Sequence, residues 1–110
     1  MPLSKRARLE IYLPQKTSAV NKRLRQAFEY EFLQTFGGCT VINGIKGLYL
    51  DSDDKGDRDE ITLVYTDTPF DFDENFGMLA AYADSLRQAA KEATMEESIL
   101  VVVHEIYHSL

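Results

Sequence analysis

The chain has 110 residues, of which 45% are hydrophobic and 27% charged, and its formal net charge is −6. That length holds one cored domain and not two, and the composition is that of a globular protein rather than a disordered or membrane one. An acidic chain repels nucleic acid and anionic lipid, so neither is the expected partner.

The charge is unevenly spread. Residues 1–25 carry seven basic residues and one acidic residue, Glu10, while the remainder carries five basic and seventeen acidic ones. This segregation predicts a solvated helix face and charge complementarity within or between subunits. The longest strongly apolar run, Ile99 to Val103, falls far short of the roughly 20 residues a membrane helix needs. The opening MPLSKRARLE has no apolar core of the kind a secretory signal requires, and residues 1–6 are expected to be a flexible N-terminus. Cys39 is the single cysteine, which predicts a reducing, cytoplasmic location and no intrachain disulfide. It reads as a small buried hydrophobe at the start of a strand rather than as a nucleophile.

In chain order, Arg8 to Leu13 alternates polar and apolar residues, the period of a half-buried strand, and Pro14 ends it. Thr17 or Ser18 is placed to cap a helix running to about Thr35, with Val20, Leu24, Ala27, Phe28, Glu31, Phe32 and Phe36 at helical spacing. Gly37-Gly38 stops that helix. Cys39 to Leu50 is extended, with Asn43-Gly44 either a hairpin turn or a bulge in one long strand; the short flanking halves favour the bulge. Asp51 to Asp59 reads as a charged loop and Glu60 to Asp67 as a returning strand. Asp71 or Asp73 opens a second helix whose stripe is Phe76, Leu79, Ala80, Ala83, Leu86, Ala90 and Ala93. After Met95-Glu96-Glu97 comes a strand of β-branched residues, Ser98 to Val103.

The order βαββαβ predicts an α+β fold: a ferredoxin-like sandwich, an antiparallel four-stranded sheet with two helices on one face. Leu9, Ile11 and Leu13 should face the helices, and so should Ile61, Leu63 and Tyr65. Tyr12, Val64 and one set from the last strand should show on the opposite face. Both alternating sets of that last strand are apolar, Ile99, Val101 and Val103 as well as Leu100, Val102 and Ile106. A strand apolar on both faces wants cover on both. The expectation is a homodimer or higher homo-oligomer paired through the open sheet face, unless the chain's own C-terminal residues or its long hairpin fold over it.

Three motifs invite chemistry. His104-Glu105-Ile106-Tyr107-His108 matches the H-E-x-x-H pattern of zinc hydrolases, in which a helix brings both imidazoles to one metal and the glutamate acts as base. Here it continues a strand, where residues i and i+4 have backbones about 13 Å apart, whereas two zinc-bound nitrogens lie within roughly 4 Å. Glu105 would face away from both histidines, and only Ser109 and Leu110 follow to supply a further ligand. Asp51 to Thr62 resembles an EF-hand loop, with Asp51, Asp53, Gly56, Asp57 and Asp59 at fitting positions. Lys55 and Thr62 stand where a ligand and the closing glutamate belong, so weak cation binding is the most it supports. Ile11-Tyr12-Leu13 resembles the first aromatic strand of RNA-recognition motifs, but Glu60 to Tyr65 lacks the glycines and paired aromatics of the other. The carboxylates Asp71, Asp73 and Glu74 are accounted for by a helix start. No P-loop, dinucleotide fingerprint or Ser-His-Asp set is present, and no catalytic residue, metal ligand or cofactor is assigned.

Phe36-Gly37-Gly38-Cys39-Thr40-Val41, followed by Gly44, Gly47 and the strand EITLVYTD, resembles a group of small uncharacterised bacterial proteins with a helix, an FGG-x-T segment and a hairpin. The resemblance covers the middle half of the chain. It implies the same ferredoxin-like domain and brings no activity or site residue. The functional expectation is a soluble, non-catalytic interaction or ligand-sensing homo-oligomer. The competing class is an enzyme, either a zinc-dependent hydrolase through His104, Glu105 and His108 or a dimeric α+β barrel with a pocket between sheets.

Overall fold

The computed structural model describes residues 3–14, 19–50, 56–94 and 99–109. The elements run β1 (Leu3–Pro14), α1 (Ala19–Phe36), β2 (Thr40–Leu50), β3 (Gly56–Asp67), α2 (Phe76–Thr94) and β4 (Leu100–Ser109). The sheet order is β2-β3-β1-β4, every pair antiparallel, which is the expected ferredoxin-like sandwich. Helix α1 lies over β3 and α2 over β4. Among the described residues no helix is long and apolar enough to cross a membrane.

The core forms between the helices and one sheet face. Leu9, Ile11 and Leu13 of β1 are buried there with Phe28 and Phe32 of α1, Ala83, Leu86 and Ala90 of α2, and Ile99. The alanines matter because a residue with no side chain beyond Cβ lets α2 approach the sheet closely. The helical stripes are narrower than their spacing suggests: Val20, Ala27, Phe76 and Ala93 are exposed. Phe76 instead stacks edge-on with Phe72 at the surface. The proposed caps Thr17 and Ser18, and the connection at 95–98, lie outside the described residues.

Two boundaries differ from expectation. β1 begins at Leu3, so residues 3–6 are strand rather than a flexible tail. The reason is the length of β4, which runs through HEIYHS and offers partners to Leu3, Ser4, Lys5 and Arg6. β3 likewise begins at Gly56, paired with Leu50, so the charged loop is shorter than 51–59.

Strand β3 also has the opposite phase from the expected one. Thr62, Val64 and Thr66 face the helices, because they stand opposite Leu13, Ile11 and Leu9. Ile61, Leu63 and Tyr65 therefore lie on the open face. The lighter set fits beneath Phe28 and Phe32, and its hydroxyls find acceptors: Thr66 Oγ1 donates to the Gly38 carbonyl at 2.7 Å and Thr62 Oγ1 to Asn43 Oδ1 at 2.9 Å. A hydroxyl buried with a partner costs little, which frees the bulkier apolar set for the other side.

Two glycines shape the middle of the chain. Gly37, at φ 87°, ends α1 in the left-handed region, and its N–H donates to Leu33 O at 3.0 Å. Gly44, at φ 76°, sits in a bulge where Asn43 and Gly44 together oppose Thr62. β2 is thus one strand with a bulge, and the extra residue restores the phase so that Ile42 and Ile45, three apart, share a face. A Cβ at Gly44 meets nothing within 4 Å, so its cost is torsional. Gly44→Ala is expected to lower unfolding free energy by about 1–2 kcal/mol in urea titration; no change would mean that the bulge relaxes without penalty.

Candidate functional site

The open sheet face divides into an apolar and a polar half. The apolar half gathers Ile42, Ile45, Ile61, Leu63, Leu100 and Val102, placed by register around Tyr12. Leu100 is 53% and Ile42 42% exposed, while Leu63 at the centre is already buried by its neighbours.

The polar half lies at the other end of the same strands. Arg8 stands opposite Asp67 and His104. Its Nε donates to Asp67 Oδ1 at 2.5 Å and its Nη2 to Oδ2 at 3.1 Å. The guanidinium also lies 4.3 Å from the Tyr65 ring centroid. This two-pronged bond with Asp67, ahead of partial burial that works against it, raises the Arg8 pKa. Glu10 receives the Tyr12 hydroxyl at 3.1 Å, and its other oxygen is 3.3 Å from His104 Nε2. Burial, then the Glu10 charge, pushes the Tyr12 phenol up. Arg6 completes the set across from Ile106. The charged side chains described on this face, Arg6, Arg8, Glu10 and Asp67, cancel when His104 is neutral, on a molecule whose net charge is −6.

The three sequence motifs fall as follows. HEIYH lies within β4. His104 joins the open face beside Glu10, while Glu105 points to the helix side, 3.3 Å from Lys5, which also pairs with Asp73. The bonds to Asp73 and then to Glu105 raise the Lys5 pKa. The backbone of His108 pairs with Ser4, four positions along from the pairing of His104 with Arg8. Among the described residues, no three His, Cys, Asp or Glu side chains converge as a metal-holding group. In the EF-hand-like segment, 51–55 lie outside the described residues, and Gly56, Asp57 and Asp59 are strand, paired with Leu50, Tyr49 and Gly47. Tyr65, expected on the helix side, joins Tyr12 on the open face, but its ring is covered by Arg8, and Glu10, which pairs with Tyr65 and accepts from the Tyr12 hydroxyl, sets a carboxylate beside both aromatics where bases would have to stack. Of the acids before α2, Asp71 is the one that caps: its Oδ1 accepts the Glu74 N–H at 3.0 Å.

A cleft of about 250 Å³ opens beside the face, where α1 meets the start of β2. Phe36, Gly37, Gly38, Cys39 and Thr40 form one wall; Tyr65, Thr66 and Asp67 form the other. Tyr65 and Asp67 belong to both the cleft and the polar half of the face. Burial, then Glu29, pushes the Cys39 thiol up and away from a nucleophilic thiolate. The polar set of β1 was readable as one alternating parity over Arg8, Glu10 and Tyr12; Arg6 and the partners on β3 and β4 needed the register.

No protein-family model matches the chain, and no curated protein does. Solved structures share its fold. CutA1 from Oryza sativa is 18% identical with a TM-score of 0.60, over 98% of this chain and 85% of that one. A nitrogen regulatory PII-like protein from Thiomonas intermedia, bound to ADP, AMP and bicarbonate, is 17% identical with a TM-score of 0.53, over 99% of this chain and 100% of that one. A phage SAM lyase in complex with S-methyl-5'-thioadenosine is 13% identical with a TM-score of 0.55, over 96% of this chain and 88% of that one. What these likenesses show is a shared ferredoxin-like α+β fold.

Proposed function

We propose that this protein is a ligand-sensing regulatory domain that works as a homo-oligomer, with its open sheet face buried between copies and an adenine-containing ligand in the adjoining cleft. The observation that carries it is the open face itself: exposed apolar residues beside Arg6, Arg8, Glu10 and Asp67, whose charges sum to zero among the described side chains. A patch whose described charges balance adds no local like-charge contact when two chains of charge −6 meet. The cleft is smaller than the roughly 300–1,000 Å³ usual for ligand sites. It borders the face at Tyr65 and Asp67, so a second copy would add a wall. The ligand class is supported by two neighbours of like fold that hold adenine compounds, the PII-like protein with ADP and AMP and the phage lyase with S-methyl-5'-thioadenosine.

The test is native mass measurement combined with thermal melting in ATP, ADP and AMP. A mass that is a multiple of 12.5 kDa, and a melting shift with at least one nucleotide, is expected. A monomer at 100 µM would remove the assembly, and a flat melting temperature would remove the ligand class. The lyase fold favours one second reading, an enzyme acting at the same cleft, and turnover of S-adenosylmethionine by the purified chain would establish it.

A further inference from the structure

We infer that assembly through the open face is proton-linked at His104, so that copies associate more tightly as pH falls from 8 to 6. The inference rests on the reading of that face as an interface between copies and names its regulation. Glu10 is the reason. Its side chain is 13% exposed against 40% for His104, so the carboxylate is already nearly out of water before any partner arrives. One of its oxygens takes the Tyr12 hydroxyl. The other faces His104 Nε2 at 3.3 Å, yet that nitrogen is buried and makes no aligned hydrogen bond.

The remaining cation nearby is already engaged. Arg8 lies directly across from His104, but its guanidinium is committed to both oxygens of Asp67 and to the Tyr65 ring. A second copy seated on the face strips water from Glu10. With neutral His104, the buried carboxylate has the Tyr12 hydroxyl and at most an uncharged N–H beside it; with a proton on the imidazole, it is buried next to a compensating positive charge. Imidazole is the side chain whose charge changes between pH 5 and 8.

The other groups facing His104 do not reverse this sign. On β1, Arg6 is the diagonal neighbour on the side away from Glu10, and it opposes protonation; Arg8 is neutralised by Asp67. On β3, Tyr65 and Asp67 act only through Arg8. On β4 itself, Val102 and Ile106 share the face, and among the described residues both helices pack on the opposite, core side of the sheet. The assembled state therefore binds more protons than the free chain, and linkage makes its stability rise as pH falls from 8 to 6.

The experiment is sedimentation equilibrium of the full chain at pH 6, 7 and 8 at fixed ionic strength, with His104→Gln, Glu10→Gln and His108→Gln variants checked for folding by circular dichroism. The chain has two histidines, so the last variant separates their contributions. The wild-type association constant is expected to rise about tenfold from pH 8 to 6. His104→Gln and Glu10→Gln should give flat profiles, and His108→Gln should keep the slope. A wild type that assembles with no pH dependence, or a slope that survives in His104→Gln, overturns the proton linkage and leaves the oligomer standing. A chain that is monomeric at every pH overturns the interface reading and the linkage with it.

Discussion

Leu100→Glu is expected to weaken self-association more than a hundredfold while leaving the fold of the single chain intact. Leu100 is 53% exposed and pairs with Tyr12 at the apolar end of the open face. In the free chain a glutamate there stays solvated, and exposed substitutions of this kind usually change stability by no more than about 0.5 kcal/mol. In an assembly the same carboxylate is buried without a partner, at a cost of about 3 kcal/mol or more per interface, and about 1.4 kcal/mol is a factor of ten in Kd. The mutation also adds a negative charge to a chain already at −6. Paired measurements decide it: the Kd by sedimentation, and the urea midpoint at a concentration where the wild type is dissociated. A Kd within threefold of wild type would place the contact elsewhere, and a collapsed urea midpoint would show that Leu100 belongs to the fold.

Phe32→Ala is expected to have the opposite signature, a large loss of stability with no specific effect on association. Phe32 is fully buried between α1 and the sheet and meets Phe36 edge to face, with ring centroids 6.1 Å apart. Removing a buried phenylalanine ring costs about 3–5 kcal/mol, through lost transfer energy and the cavity left behind. Domains of this size are stable by about 5–15 kcal/mol in all, so the melting temperature should fall by well over ten degrees. Leu33→Ala, one residue on but 52% exposed, is the control and should shift it by little. Similar effects from the two would mean that α1 packs by a different face.

The two variants separate what was legible in the sequence from what was not. Periodicity marked every element, since alternation and 3,4 spacing are local properties that a chain carries without knowing its neighbours. It found Leu9, Ile11 and Leu13 as inward and placed Phe28 and Phe32 on the inward stripe of α1, though Val20 and Ala27 of that stripe are exposed; the short flanking halves favour the Asn43-Gly44 bulge over a hairpin turn. It misassigned β3, where Ile61, Leu63 and Tyr65 alternate with Thr62, Val64 and Thr66. Both sets are β-branched or apolar, and the choice between them depends on room under Phe28 and Phe32 and on acceptors at Gly38 and Asn43. It also read Lys5 and Arg6 as a tail, because their pairing depends on how far β4 continues.

The sequence by itself therefore determined the fold class, the strand character of HEIYH and the two-sided hydrophobicity of β4, all consequences of spacing along one segment. The tertiary structure alone decided which face of β3 is open, that Arg8 meets Asp67 and Tyr65, and that His104 stands beside Glu10. Those pairings join residues 57 to 94 positions apart in the chain, and strand register, which is a property of the assembled sheet, is what brings them together.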